Sequence, residues 1–188
     1  MFNFYEDLTI DLNLDEMLPF WREESNLLET YSYQFIDIPE HQKYEEKYYW
    51  FGMIFLTGKD PQGRPVIQND KVALYYLYQA ANIGHKKSIK LLEKIDEVVR
   101  LLNTLNDVKG EVEIWEDEII DWDYREDSED RSYYLEYYQN LLVPLSHQIR
   151  DLKGDINYFK EQLEEEFLLT SSEVSGLINN YIKGVQEC

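Results

Sequence analysis

The chain has 188 residues, with 38 acidic against 18 basic side chains and a net charge of −20, which argues against direct binding to nucleic-acid backbones or anionic membranes, since both need clustered cations. A hydrophobic fraction of 44%, with 15% aromatic residues, is too high for a disordered acidic tail and sufficient for one folded domain. The single cysteine, Cys188, excludes an internal disulfide framework and a cysteine-based metal cluster.

The opening MFNFYEDLTI has neither the basic stretch nor the long apolar run of a secretory leader, and nothing approaches the ~20 apolar residues of a membrane span. The expected setting is the reducing cytoplasm. Charge is unevenly spread: 12 acids and 3 bases over residues 1–47, 6 and 9 over 48–110, and 20 and 6 over 111–188. A mildly basic centre therefore sits between two acidic arms.

Apolar residues recur at three- and four-residue spacing through most of the chain, the mark of amphipathic helices, so the expectation is an all-α fold. After a short alternation at Ile10, Leu12 and Leu14, a first helix is expected over residues 18–35, with Trp21, Leu28, Tyr31 and Phe35 near one face. Asp37 and Pro39 have the spacing of a helix start, which opens a second helix ending near Leu56. The stretch TGKDPQGRPVIQND is rich in turn formers and reads as a loop; Asp70 is placed to cap a third helix that closes at Gly84.

Leu91, Ile95, Val98, Leu102 and Leu105 then form a heptad-like seam over residues 86–107, too short for an intermolecular coiled coil, which Gly110 is expected to break. Val112, Trp115, Ile119 and Trp122 share one face of a short acidic helix. Two further helices are expected over 132–152, kinked at Pro144, and over 155–167. Thr170-Ser-Ser-Glu173 is a capping box for a last helix that Gly184 should stop.

Within this pattern, YYWFGMIFLTG, the loop, and DKVALYYLYQAANIGH together resemble a Sel1-like repeat, a relative of the tetratricopeptide repeat. The resemblance rests on Gly52, Gly58, Ala73, Tyr76, the pair Ala80-Ala81 and Gly84, and covers residues 45–95. Small residues suit a close approach of two helices, while Tyr76 fills the groove beside them. No second glycine-containing copy follows, although Ser88 supplies a small residue where one would start. Because solenoids usually need about three repeats for stability, flanking helices must close the core. The expected organisation is a single helical domain over 1–188, with the repeat at 45–95 and an acidic helical extension at 111–188. The resemblance implies protein binding, either as an adaptor for signalling or envelope partners or as a bacterial immunity protein against a toxin.

Catalytic and metal-binding patterns are absent from the sequence. His41, His85 and His147 have no metal-ligand spacing, and His85, following Gly84 at a hairpin end, reads as a capping or surface residue. Asp11-x-Asn13-x-Asp15 starts like a calcium loop, but Glu16 stands where glycine is needed and Arg22 where the bidentate acid should be. Ser146 and His147 are sequence neighbours, which is not a triad geometry. No enzyme activity and no cofactor are expected.

The sharpest feature is residues 111–130, with 11 acids against Arg125 alone. Its plain reading is a solvated acidic helix whose tryptophans face the core. Its functional reading is a partner surface: Glu116, Asp117, Asp121, Asp123, Glu126 and Asp127 as steering charges, Trp115, Trp122 and Tyr124 as anchors. Outward members of the tyrosine doublets are further interface residues. The expected partner is a basic toxin protein, and self-association is left open. A general mimic of nucleic acid is the third possibility, recognisable by broad binding that salt abolishes.

Overall fold

The computed structural model describes residues 40–60, 63–123 and 130–186. Five helices account for nearly all of them: α1 (Glu40–Thr57), α2 (Asp70–Asn82), α3 (Lys86–Asp123), α4 (Arg131–Phe167) and α5 (Ser171–Gln186). Among the described residues the only extended pairing is an isolated bridge between Lys59 and Pro65, and the fold is all-α as expected. The expected helix over 18–35, the alternation at Ile10 to Leu14 and the helix start at Asp37 lie outside the described residues. The chain divides into two compact units, Met1–Ile95 with Leu163–Cys188, and Asp96–Gln162.

In the first unit α1 and α2 form a hairpin whose closeness depends on Gly52. A methyl group there would lie 2.7 Å from Leu77 Cγ and 3.2 Å from the Ala73 carbonyl, so any side chain would force the helices apart. Tyr76 is buried beside this contact, its ring 5.4 Å from that of Phe51 and 5.9 Å from that of Phe55. Burial of each such aromatic or aliphatic side chain contributes about 1.5–3 kcal/mol.

The connecting loop is held by backbone and side-chain bonds. Gly58, at φ +64°, accepts at its carbonyl from the Val66 N–H, and the Asn69 N–H donates to Phe55 O. The buried Asp60 carboxylate takes the backbone N–H of Arg64 at 2.8 Å and its Nε–H at 2.6 Å, a charge-assisted pair that fixes the turn.

The start of α2 differs by one residue from the sequence expectation. Asn69, not Asp70, is extended and accepts the Val72 N–H through its side chain at 3.1 Å. Both residue types cap well, so composition could not choose between them. At the other end Gly84 has φ +101°. Its N–H donates to Ala81 O and the His85 N–H to Ala80 O, both at 2.9 Å, the paired bonds of a left-handed helix end.

α5 buries Val174, Leu177, Ile178 and Tyr181, a three-and-four pattern that faces α1 and α2. The Tyr181 ring stacks 6.3 Å from that of Tyr78, and Asn180 Nδ2 donates to Asp70 Oδ2 at 3.3 Å. The capping box is present: Thr170 N–H donates to Glu173 Oε2 at 2.6 Å, and Glu173 N–H to Thr170 Oγ1 at 3.3 Å. Gly184 does not stop the helix, which continues to Gln186.

The second unit is an antiparallel hairpin of α3 from Asp96 onward and α4 up to Gln162. Its apolar seam holds Val98, Val99, Leu101, Leu105 and Val108 from α3 and Ile156 from α4. Leu101 is buried and Leu102 only half-buried, so the seam turns slightly from the strict heptad, as an undistorted helix requires.

Two expected breaks do not occur. Gly110 and Gly154 lie inside continuous helices, and at neither would an added methyl meet anything within 4 Å. Glycine lowers helix propensity by about 1 kcal/mol, which the packing along these helices outweighs. Pro144 likewise sits within α4 on its exposed side, where the carbonyl it leaves without a helical donor can reach water.

Candidate partner-binding surface

The acidic segment forms the C-terminal part of α3, and helical periodicity sorts it into two faces. Val112, Trp115, Ile119 and Trp122 are each half-buried, as their shared face leads one to expect, while Glu111, Glu113, Glu116, Asp117, Glu118, Asp121 and Asp123 are exposed. The apolar face is directed toward α4, and the carboxylates project into solvent.

Both tryptophans are engaged within the hairpin. Trp115 stacks on Tyr138 with centroids 5.7 Å apart, and Trp122 on Tyr134 at 4.2 Å with planes 16° from parallel. Tyr134 and Tyr138 also face each other at 6.5 Å. One face of each indole is therefore taken by a tyrosine.

Of the residues expected to steer a partner, Glu116, Asp117 and Asp121 stand on the solvent side of α3. Asp123 is exposed and pairs with Arg131 across the end of the hairpin. An ion pair this exposed stabilises by about 0–1 kcal/mol. Tyr124, Glu126 and Asp127 lie outside the described residues.

The tyrosine doublets divide as helical geometry demands, since successive side chains diverge by about 100°. Tyr133 and Tyr137 are exposed at 66% and 51%, while Tyr134 and Tyr138 pack inward. Tyr133 and Tyr137 are one turn apart and so form a short stripe. Ile114 and Ile120 are exposed as well, at 59% and 51%. These isoleucines were not anticipated, although the signal was available: both fall outside the stripe set by Val112, Trp115, Ile119 and Trp122.

Among the described residues, no group of three or more His, Cys, Asp or Glu side chains is placed to hold a metal ion, and no helix is long and apolar enough to cross a membrane. His147 is exposed, and the neighbouring Ser146 hydroxyl donates to Leu142 O at 2.8 Å. One serine–histidine contact was not foreseen: Ser88 Oγ lies 3.0 Å from His85 Nδ1. Ser88 is fully buried, so its hydroxyl is inaccessible to a substrate. Comparison of the chain with known protein families, curated proteins and solved structures finds no match.

Proposed function

We propose that this chain is a cytoplasmic immunity protein, which binds a cognate bacterial toxin and neutralises it by occupying its surface, without chemistry of its own. The observation that carries the reading is the exposed row Glu113, Glu116, Asp117, Glu118 and Asp121 on one side of a helix whose other side is locked by stacked aromatics.

A rigid negative surface of this kind accelerates capture of a basic protein and disfavours acidic competitors. A toxin that acts on an anionic substrate, such as a nuclease, presents the complementary charge. The exposed Tyr133 and Tyr137 offer amphipathic contact area once the partner has docked.

A second reading rests on the α1–α2 hairpin, whose contact at Gly52 and closing Gly84 agree with the Sel1-like resemblance. That reading is an adaptor with several partners of modest affinity.

An affinity capture from cells that express the neighbouring genes separates the two. Immunity predicts one stoichiometric partner that survives high-salt washing and is toxic when produced alone. It also predicts that Glu116→Lys/Asp117→Lys/Asp121→Lys weakens binding and lowers its salt dependence. A varied set of endogenous proteins, unaffected by the triple charge reversal, would support the adaptor and reject the inhibitor. Broad binding lost at high salt would instead indicate a nucleic-acid mimic.

A further inference from the structure

The joint between α2 and α3 is built around a buried histidine. His85 precedes the first residue of α3, and its Nδ1 accepts the backbone N–H of Ser88 at 3.2 Å, the bond an N-cap side chain makes. A ring nitrogen that accepts an N–H carries no proton, so the proton of the neutral ring resides on Nε2. Nε2 faces Glu46 Oε1 at 3.6 Å. In this tautomer the Ser88 hydroxyl also donates to Nδ1, at 3.0 Å.

The surroundings of the ring come from three helices. From α1, Tyr49 stacks on it with centroids 4.4 Å apart, and Glu46 and Glu45 act on it electrostatically. From α2, the Ala80 carbonyl holds the His85 backbone N–H. From α3 come Ser88 and the Lys87 ammonium, which lies 5.9 Å from the Tyr49 ring.

We propose that His85 is a proton-operated joint: neutral, it caps α3 and fixes its first turn; protonated, it surrenders the cap and releases that turn. The reason is geometric. An imidazolium carries hydrogens on both nitrogens, so Nδ1 would confront two donors. The Ser88 hydroxyl can rotate and become an acceptor, but the Ser88 backbone N–H cannot, and it loses its partner.

The freed turn is poorly suited to stand alone, since it begins Lys86-Lys87 with no acid in its first turn. Cations at a helix N-terminus oppose the macrodipole. Ser88, His85 and Glu46 have the order of a nucleophile relay, yet the complete burial of Ser88 makes the device conformational rather than catalytic. Burial holds the imidazole below its ordinary pKa; Glu46 and Glu45 pull it upward and Lys87 pushes it down. The joint is therefore set to open on acidification below the ordinary histidine range of about 6.5.

The test is nitrogen-15 NMR of the full chain with amide hydrogen exchange between about pH 4 and 8, on the wild type and on His85→Asn, which keeps a capping oxygen without a titrating group. The expected result is the Nε2–H tautomer at neutral pH. Protection of the Ser88 and Ile89 amides, corrected for intrinsic exchange, should fall about five-fold as His85 titrates, and His85→Asn should remove that step. An Nδ1–H tautomer at neutral pH, titration of His85 with unchanged protection, or the same step in His85→Asn would overturn the proposal.

Discussion

Trp122 lies almost flat on Tyr134, with centroids 4.2 Å apart and planes 16° from parallel. The contact sits near the end of the α3–α4 hairpin, where the apolar seam has given way to half-buried aromatics. Stacked aromatic pairs contribute about 0.5–1.5 kcal/mol beyond their area burial. A double-mutant cycle of Trp122→Ala and Tyr134→Ala, followed by denaturant unfolding, should return a coupling in that range. Additive losses would mean that the rings are neighbours without energetic connection.

Glycines in the same fold should respond to alanine with opposite signs. At Gly52 a methyl would lie 2.7 Å from Leu77 Cγ and 3.2 Å from Ala73 O, so Gly52→Ala should destabilise by about 1–3 kcal/mol through overpacking. At Gly154, where nothing lies within 4 Å, the same substitution should stabilise by about 0.5–1 kcal/mol through backbone entropy and helix propensity. Thermal unfolding of the two single variants measures the contrast. A Gly52→Ala protein as stable as the parent would remove close helix approach as the reason for that glycine.

The same glycines show why the sequence was informative at some positions and misleading at others. Gly84 and the Thr170–Glu173 box were legible because each controls hydrogen bonds within a few residues of itself. Gly110, Gly154 and Gly184 resemble breaks by propensity, but the helices run through them, because one glycine costs only about 1 kcal/mol in a helix that the rest of its length sustains. In the acidic segment, period alone placed Val112, Trp115, Ile119 and Trp122 on one face. It could not show that Tyr138 and Tyr134 would cover the indoles, since that pairing depends on the register of α4 against α3. The position of His85 after Gly84 made a cap legible, but not its burial or its bond with Ser88, because those depend on how α1 packs over the joint.

Asp70 should make stability depend on pH in the direction opposite to an ordinary paired carboxylate. Burial raises its pKa, the side chains of Gln68 and Asn180 pull it back, and the Glu173 carboxylate adds to the rise. A carboxyl whose folded pKa exceeds its unfolded value holds its proton more tightly in the native state, so stability falls as pH rises from the unfolded pKa through the raised one. The difference in unfolding free energy between Asp70→Asn and the parent should therefore shift in favour of the variant between about pH 3 and pH 7. The charge on the rest of the chain is common to both proteins and largely cancels in that difference. A shift in favour of the parent would mean that Asp70 is stabilised as an anion at the start of α2.

Leu168 is the clearest site for stabilisation. It follows the last residue of α4 at φ +55°, a left-handed conformation, and its side chain is 87% exposed. The Leu169 N–H reaches back to Glu164 O at 3.0 Å, so the turn carries the bond of a helix end in which glycine is the usual residue. For a residue with a Cβ this conformation costs about 1–2 kcal/mol. Glycine relieves that strain but gains freedom in the unfolded chain, which offsets part of the benefit. Leu168→Gly should thus stabilise by about 0.5–1 kcal/mol, seen as a higher denaturant midpoint with an unchanged slope. Because so little of the leucine is buried, no comparable packing loss opposes the gain. A lower midpoint would show that Leu168 makes contacts in solution that outweigh its strained backbone.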